Sequence, residues 1–292
     1  MKETNTKIIV TFGEVLWDCL PRGLFLGGAP LNVAYHAGRL GAKSYISSSV
    51  GKDFLGDEAL RRIEASGIET DLLKKHPHFP TGVSVASLDD LGDATYEIVE
   101  KVAWDEIDVG DSDKSVLDSA DAIVFGSLAT RSPSNFELIK AILESTKALK
   151  VCDVNLRPPY DDPDRALELS KFADVLKVNE DELSVLSGNG EAELLEQVQS
   201  LHRRTGVKVI SVTLGKEGAV LWKNGRFFSL PTEDVVVADT IGAGDSFTAA
   251  LTIGILEKRR LEVCLKRALK LSSFVASADG AQPEYVAKKV LS

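Results

Sequence analysis

The sequence predicts an α/β fold: a three-layer α/β/α sandwich on a mostly parallel central sheet, with a small β-sheet beside it. Short β-branched runs recur along the chain and are apolar on both faces, as parallel strands covered on both sides require. Helical stripes lie between them, and strand–helix alternation favours a parallel sheet. One stretch breaks the alternation with period-two patterning, which belongs to strands of a separate sheet.

The first run, residues 7–12, is closed by Gly13, and further runs stand at 122–125, 151–154, 175–178 and 207–212. Leu194, Leu195, Val198 and Leu201 form one helical stripe; Leu261, Leu265, Ala268, Leu271 and Val275 form another. Residues 81–88 and 94–102 alternate with period two around a turn-rich segment at 89–93. Two strands do not hold themselves, so these are expected to join residues near 14–21. Residues 221–228, centred on Lys223-Asn224-Gly225-Arg226, predict a hairpin inside the main domain. No repeat, low-complexity run or linker divides the chain, so residues 1–292 read as one domain.

Composition narrows the function. The 292 residues carry 34 Lys and Arg against 44 Asp and Glu, a formal charge of −10, and the basic pairs are short and scattered. A nucleic-acid partner calls for a basic stripe, so none is expected. No apolar run approaches the ~20 residues a bilayer requires, and the polar residues 1–6 lack a signal-peptide core. A cytoplasmic protein with no membrane partner is the expectation. Cys19, Cys152 and Cys264 stand apart without CxxC spacing and read as small buried hydrophobes. His36, His76, His78 and His202 show no metal-ligand spacing; His76 and His78, beside Pro77 and Pro80, read as a loop.

The strongest chemical signal is Asp239-Thr240-Ile241-Gly242-Ala243-Gly244-Asp245, followed by an apolar helical segment at 248–256. Small residues before a helix expose amides, and the first helical N–H groups lack partners at the positive end of the dipole. That combination suits phosphate, and Asp245 is placed to take a proton from a hydroxyl attacking it. The other reading of such a segment is a glycine-rich turn with Asp245 as a helix cap. No GxxxxGK[ST] occurs and no GxGxxG follows the first strand, which disfavours Walker-type ATPases and nicotinamide dehydrogenases. Earlier, Gly27-Gly28-Ala29-Pro30-Leu31-Asn32 opens a helix, with Pro30 suited to its start. Asp18 and Asn32 together fit two neighbouring hydroxyls of a polyol. Asp18 alone also reads as a turn or surface residue.

These two segments, with Gly41 and Gly51, resemble the signatures of ribokinase-like sugar kinases of the phosphofructokinase-B type, in order and spacing over about residues 7–286. Gly13-Glu14-Val15-Leu16-Trp17-Asp18, Leu26-Gly27-Gly28-Ala29-Pro30 and Ala103-Trp104-Asp105 are most similar to bacterial fructokinases. The resemblance implies an ATP-dependent kinase, acting with Mg²⁺, that converts fructose to fructose 6-phosphate. The small sheet, residues about 14–26 and 81–105, becomes a lid. Asp245 is then the base, with the amides of Gly242, Ala243 and Gly244 as the anion hole. Asp18, Gly28 and Asn32 hold the sugar, and Asn155 and Arg157 reach sugar or phosphates. Asn179 and Glu182 organise Mg²⁺ through water, and Thr213, Gly215 and Gly218 border the nucleotide. Asp239 is the candidate ligand of a K⁺ ion near Glu284. Tyr96 and Trp104 either cover a sugar face or serve packing and dimer contacts, the lid being the expected homodimer surface. The alternatives are 2-keto-3-deoxygluconate kinase, ribokinase, nucleoside kinase, or a non-catalytic binding relative.

Overall fold

The computed structural model describes residues 6–20, 23–88 and 94–292. The turn at 89–93 and the side chain of Tyr96 lie outside the described residues. The chain opens with β1 (Ile8–Phe12), β2 (Leu16–Leu20), β3 (Gly23–Gly27) and α1 (Ala29–Arg39). It continues through β4 (Lys43–Gly51), α2 (Phe54–Ala65), β5 (Leu73–His76), β6 (Gly82–Leu88), β7 (Ala94–Ile98) and α3 (Lys114–Ser119). Then come β8 (Ala122–Phe125), α4 (Pro133–Ser145), β9 (Leu149–Asp153), α5 (Pro163–Ser170), β10 (Val175–Asn179), α6 (Glu180–Ser187) and α7 (Leu194–Thr205). The last are β11 (Val209–Thr213), β12 (Ala219–Lys223), β13 (Arg226–Leu230), α8 (Ala243–Leu256), α9 (Leu261–Ala276) and α10 (Ala287–Val290).

Nine strands form one sheet in the order β13-β12-β11-β10-β9-β8-β1-β4-β5. It is parallel from β11 to β5, and the β12–β13 hairpin closes the other edge antiparallel. Its central strands β1, β8 and β11 are largely apolar on both faces because each face is covered. In β8, Ile123 and Phe125 pack with Ile139 of α4 and Leu183 of α6, while Ala122 and Val124 pack with Leu31 of α1 and Phe247 of α8. Two cores on opposite sides of one sheet make the three layers.

The second sheet runs β3-β2-β6-β7, with β2 and β6 parallel and the other pairs antiparallel. The expected partner segment near 14–21 is therefore β2. Four details depart from the sequence expectations. Cys19 is half-buried, unlike the buried Cys152 and Cys264. Leu195 is 40% exposed, so the buried stripe of α7 is Val198 and Leu201 with Leu194 beside them. His76 ends a strand instead of lying in a loop; its ring stacks on Phe79, centroids 4.8 Å apart. Strand β4 went unread because its serine run hides a buried strand: Ser44, Ser47, Ser48 and Ser49 are all buried between β1 and β5.

Candidate active site

In open α/β sheets a ligand site forms outside the carboxyl ends of the strands, where strand order reverses. Here the reversal lies at β1 and β8, since β4 and β5 extend one way from it and β9 to β11 the other. Glu14 follows β1, Asp153 ends β9, Lys177 and Asn179 end β10, and Thr213 ends β11. Lys177 pairs in register with Asp153, and Asn179 with Thr213, which sets these groups in one row.

Helix α8 aims its N-terminus at that row. Gly242 is its N-cap, left-handed at φ 77°, and no side chain caps the first turn. A Cβ on Gly242 would lie 2.6 Å from the Cβ of Ala281, so loop and segment 280–285 are packed to backbone contact. The amide of Ala243 is engaged by the Thr240 carbonyl at 3.3 Å. This corrects the expected anion hole: the first-turn amides left for an anion are those of Gly244 and Asp245, beside Gly242. Asp245 is thus a first-turn residue, not the cap.

Asp245 Oδ2 accepts from Asn32 Nδ2 at 2.8 Å, which ties α8 to α1. Burial pushes the Asp245 carboxyl up to about 6, and neighbouring Asp153 pushes the same way. The Asn32 bond, Lys177 and Arg157 pull it down. Asp153 is itself fully engaged: Lys177 Nζ is 2.9 Å from Oδ1, and Thr248 Oγ1 donates to Oδ2 at 2.6 Å. Burial drives the Lys177 ammonium down, but Asp153, Glu182 and Asp245 outweigh it and hold the group charged. A buried cation therefore stands behind the first turn of α8, 3.2 Å from where a Gly244 Cβ would be.

The sugar-type residues gather on the other side. Asp18, Gly27, Leu31, Asn32, Ala281 and Gln282 line a cavity of about 270 Å³ between the small sheet and helix α1. Asp18 is held up by burial, opposed by Ser84 on β6 and by Arg157. Gly28 is the N-cap of α1 at φ 114° and its carbonyl accepts from the Asn32 amide at 3.0 Å. Arg157 is exposed, with Asp18, Glu14 and Asp245 all within its field; half-buried Asn155 precedes it at φ 51°.

Asn179 and Glu182 form a capping box at the start of α6. Glu182 is buried and accepts from the amides of Asn179 (2.8 Å) and Leu156 (2.9 Å). Thr213, Gly215 and Gly218 follow at the β11 turn, and Gly218 is at φ 108°. Asp239 Oδ1 accepts from the Ile241 amide at 3.0 Å, turning the chain into the glycine loop. Trp104 departs from the sugar-face expectation: it is 0% exposed, its ring covered by the Arg131 guanidinium at 4.0 Å, and it serves packing.

Sequence reasoning missed Glu14, Asp153, Lys177, Thr248 and Gln282 as site residues. A lysine inside the apolar run 175–178 was the available signal for Lys177. Glu14 is buried, accepts from the Ala29 amide at 3.1 Å, and is pushed up to about 7, mainly by burial.

An open helix N-terminus bearing a proton acceptor, beside a polyol-sized cavity, is an arrangement for phosphoryl transfer to a hydroxyl. Comparison with known proteins agrees. The model of the pfkB family carbohydrate kinases matches residues 6–287. The chain belongs to that family. The kinase is 31% identical over 256 residues to a sugar kinase of Pyrococcus horikoshii, covering 85% of this chain and 77% of the relative. That protein's structure with ATP superposes with a TM-score of 0.79, covering 97% of this chain and 99% of the other at 27% identity. A fructokinase of Rhizobium leguminosarum bv. trifolii is 27% identical, with 90% of this kinase and 86% of the relative covered. A ribokinase of Arabidopsis thaliana is 29% identical, with 90% and 70% covered. Among the described residues no helix of the kinase is long and apolar enough to cross a membrane.

Proposed function

We propose that this sugar kinase transfers the γ-phosphoryl group of MgATP to the primary hydroxyl of a ketohexose, converting fructose to fructose 6-phosphate in the cytoplasm. The observation that carries the reading is Asp245. It stands in the open first turn of α8, with Oδ2 held by Asn32 from the sugar cavity. Asp245 takes the proton of the attacking hydroxyl. That oxygen bonds to the γ-phosphorus as the bond to the ADP oxygen breaks. The amides of Gly244 and Asp245, with Gly242 turning the loop, face the charge on the transferred group. Arg157 adds an exposed cation, and Lys177 a buried one behind the turn. Asp18 and Asn32 hold sugar hydroxyls, with Gly28 and Asn155 shaping the approach. Thr213, Gly215 and Gly218 border the nucleotide.

The donor set fits a Mg²⁺ ion carried by the nucleotide. Among the described residues no three carboxylates, histidines or cysteines form a cage. Both Glu182 oxygens already accept backbone amides, so Glu182 and Asn179 would hold such an ion through water, as a reluctantly dehydrated ion prefers. The ion supplies charge neutralisation between the phosphates. Asp239 is proposed to shape a K⁺ site beside the glycine loop. Replacing K⁺ by a large organic cation should lower turnover; unchanged rates in K⁺- and Na⁺-free buffer would remove that site.

The Rhizobium fructokinase supports fructose, and the Arabidopsis ribokinase supports the rival pentose. ADP release with MgATP and a panel of fructose, ribose, 2-keto-3-deoxygluconate and a nucleoside decides between them, with product NMR fixing the position phosphorylated. Fructose should give the highest kcat/KM. A tenfold preference for another acceptor would overturn the substrate, and turnover with none of them would overturn the kinase reading of the site.

A further inference from the structure

The two ends of the Asn32 carboxamide are not equivalent. A carboxylate only accepts hydrogen bonds, so Asn32 must present its N–H₂ to Asp245 Oδ2, as it does at 2.8 Å. Turned over, the carboxamide would set oxygen against oxygen. The contact that opposes such a turn is Gln282, whose Nε2 donates to Asn32 Oδ1 at 2.9 Å. The chain Gln282–Asn32–Asp245 then runs from donor to acceptor at both contacts, an order that either amide would break by turning over.

Gln282 is in turn held by α1. His36 is fully buried, and burial pushes its ring down to about 4, so it is neutral. Its Nε2 lies 2.9 Å from the Ala281 carbonyl, which only accepts, so Nε2 carries the proton. Nδ1 therefore accepts from the Tyr285 hydroxyl at 3.0 Å. Tyr35 donates to the Pro283 carbonyl at 2.9 Å. Three bonds from the adjacent residues Tyr35 and His36 thus clamp residues 281–285, and Gln282 sits between the clamped carbonyls of Ala281 and Pro283.

We propose that Gln282 is a positioning residue for phosphoryl transfer: it locks the Asn32 carboxamide so that Asn32 donates to Asp245 Oδ2, leaving Oδ1 to take the proton of the sugar hydroxyl. The proposal rests on the reading of Asp245 as the base. The charged groups facing Asp245 are Asp153 from β9, Lys177 from β10, Arg157 after β9 and Glu14 after β1. Gln282→Leu leaves all of these untouched and adds no charge, so its shift in the Asp245 titration reports on the Asn32 bond, whereas Gln282→Glu adds a direct repulsion in the same direction.

The test is the pH profile of kcat together with ¹³C NMR titration of the Asp245 carboxyl in the free enzyme, for the wild type, Gln282→Leu and Gln282→Glu. Loss of the hold weakens the Asn32 bond that favours the carboxylate. In Gln282→Leu the acid limb and the NMR midpoint should both rise by about 0.5–1 pH unit. Gln282→Glu should rise further, because its carboxylate repels Asn32 Oδ1 and turns the carboxamide over. At neutral pH kcat should fall several-fold in both, with KM for MgATP unchanged. Folded variants that keep the wild-type midpoint in both measurements overturn the relay while leaving Asp245 as base. A wild-type Asp245 that titrates in NMR without any acid limb in kcat overturns the base reading instead.

Discussion

Asp245 sits where opposing influences on one proton meet. Burial and Asp153 raise its affinity for a proton, while Asn32, Lys177 and Arg157 lower it, and the balance stands at about 6. A base acts deprotonated, so turnover should be lost as pH falls through that value. Glu14 is pushed the same way, chiefly by burial. Its folded value of about 7 against 4.5 in the free side chain means that the native state holds the proton more tightly than the unfolded chain. Stability is then undiminished below the unfolded value and lost as pH rises toward 7. Glu14→Gln removes that loss without emptying the site, since an amide oxygen can still accept from Ala29. Urea unfolding should show the variant's advantage over wild type growing by about 2 kcal/mol from about pH 5 to pH 8; an advantage that shrinks with pH would contradict it. Asn32 and Asp245 stand out in sequence because glycines and a helix start announce them, whereas Asp18 alone also reads as a turn or surface residue. Asp153 and Lys177 do not stand out, because a buried ion pair between neighbouring strands leaves only one charged residue in each apolar run.

Helix α8 shows how an element carries chemistry. It is buried on nearly every face from Ser246 to Gly254, as a helix apolar all round must be. Its axis is pinned by Thr248 on Asp153, and its first turn is left for an anion. The pivot is Gly242. Alanine there meets two penalties, a left-handed φ of 77° and a Cβ 2.6 Å from that of Ala281. Gly242→Ala should lose at least tenfold in kcat/KM and about 1–3 kcal/mol of stability. Near wild-type kinetics in a crystal-clear two-state unfolder would show that the loop geometry is not what binds the phosphoryl group. Strand β4 taught the opposite lesson about legibility. Its buried serines lie on both faces, Ser44 beside Gly38 of α1 and Ser49 donating to the Glu106 carbonyl, and a run of small polar residues carries no strand period to read.

At the scale of the molecule, the fold sets a small sheet over the carboxyl edge of a large one. Asp18 pairs in register with Phe25 and Ser84, and the next row, Cys19 with Leu24 and Val85, points the opposite way. One face therefore turns to the sugar cavity and the other carries Leu24 at 51% and Val85 at 38% exposure. We propose that a second copy of the chain covers this row, as apolar sheet faces in water favour. Light scattering should find a dimer; only a 31.5 kDa species at working concentration would contradict it. The layered architecture was legible because two-sided burial writes apolar strands. The small sheet was legible only in part, because β3 exposes Leu24 and Phe25 and so lacks the alternation of a half-buried strand.

The central claim is that Asp245 takes the sugar proton while the first turn of α8 holds the phosphoryl group. Asp245→Asn keeps the shape and removes the base, and steady-state kinetics with saturating MgATP and fructose measures the consequence directly. The expected result is a fall in kcat of about 10²–10⁴ with little change in KM for fructose. An Asp245→Asn enzyme that turns over near the wild-type rate would contradict it.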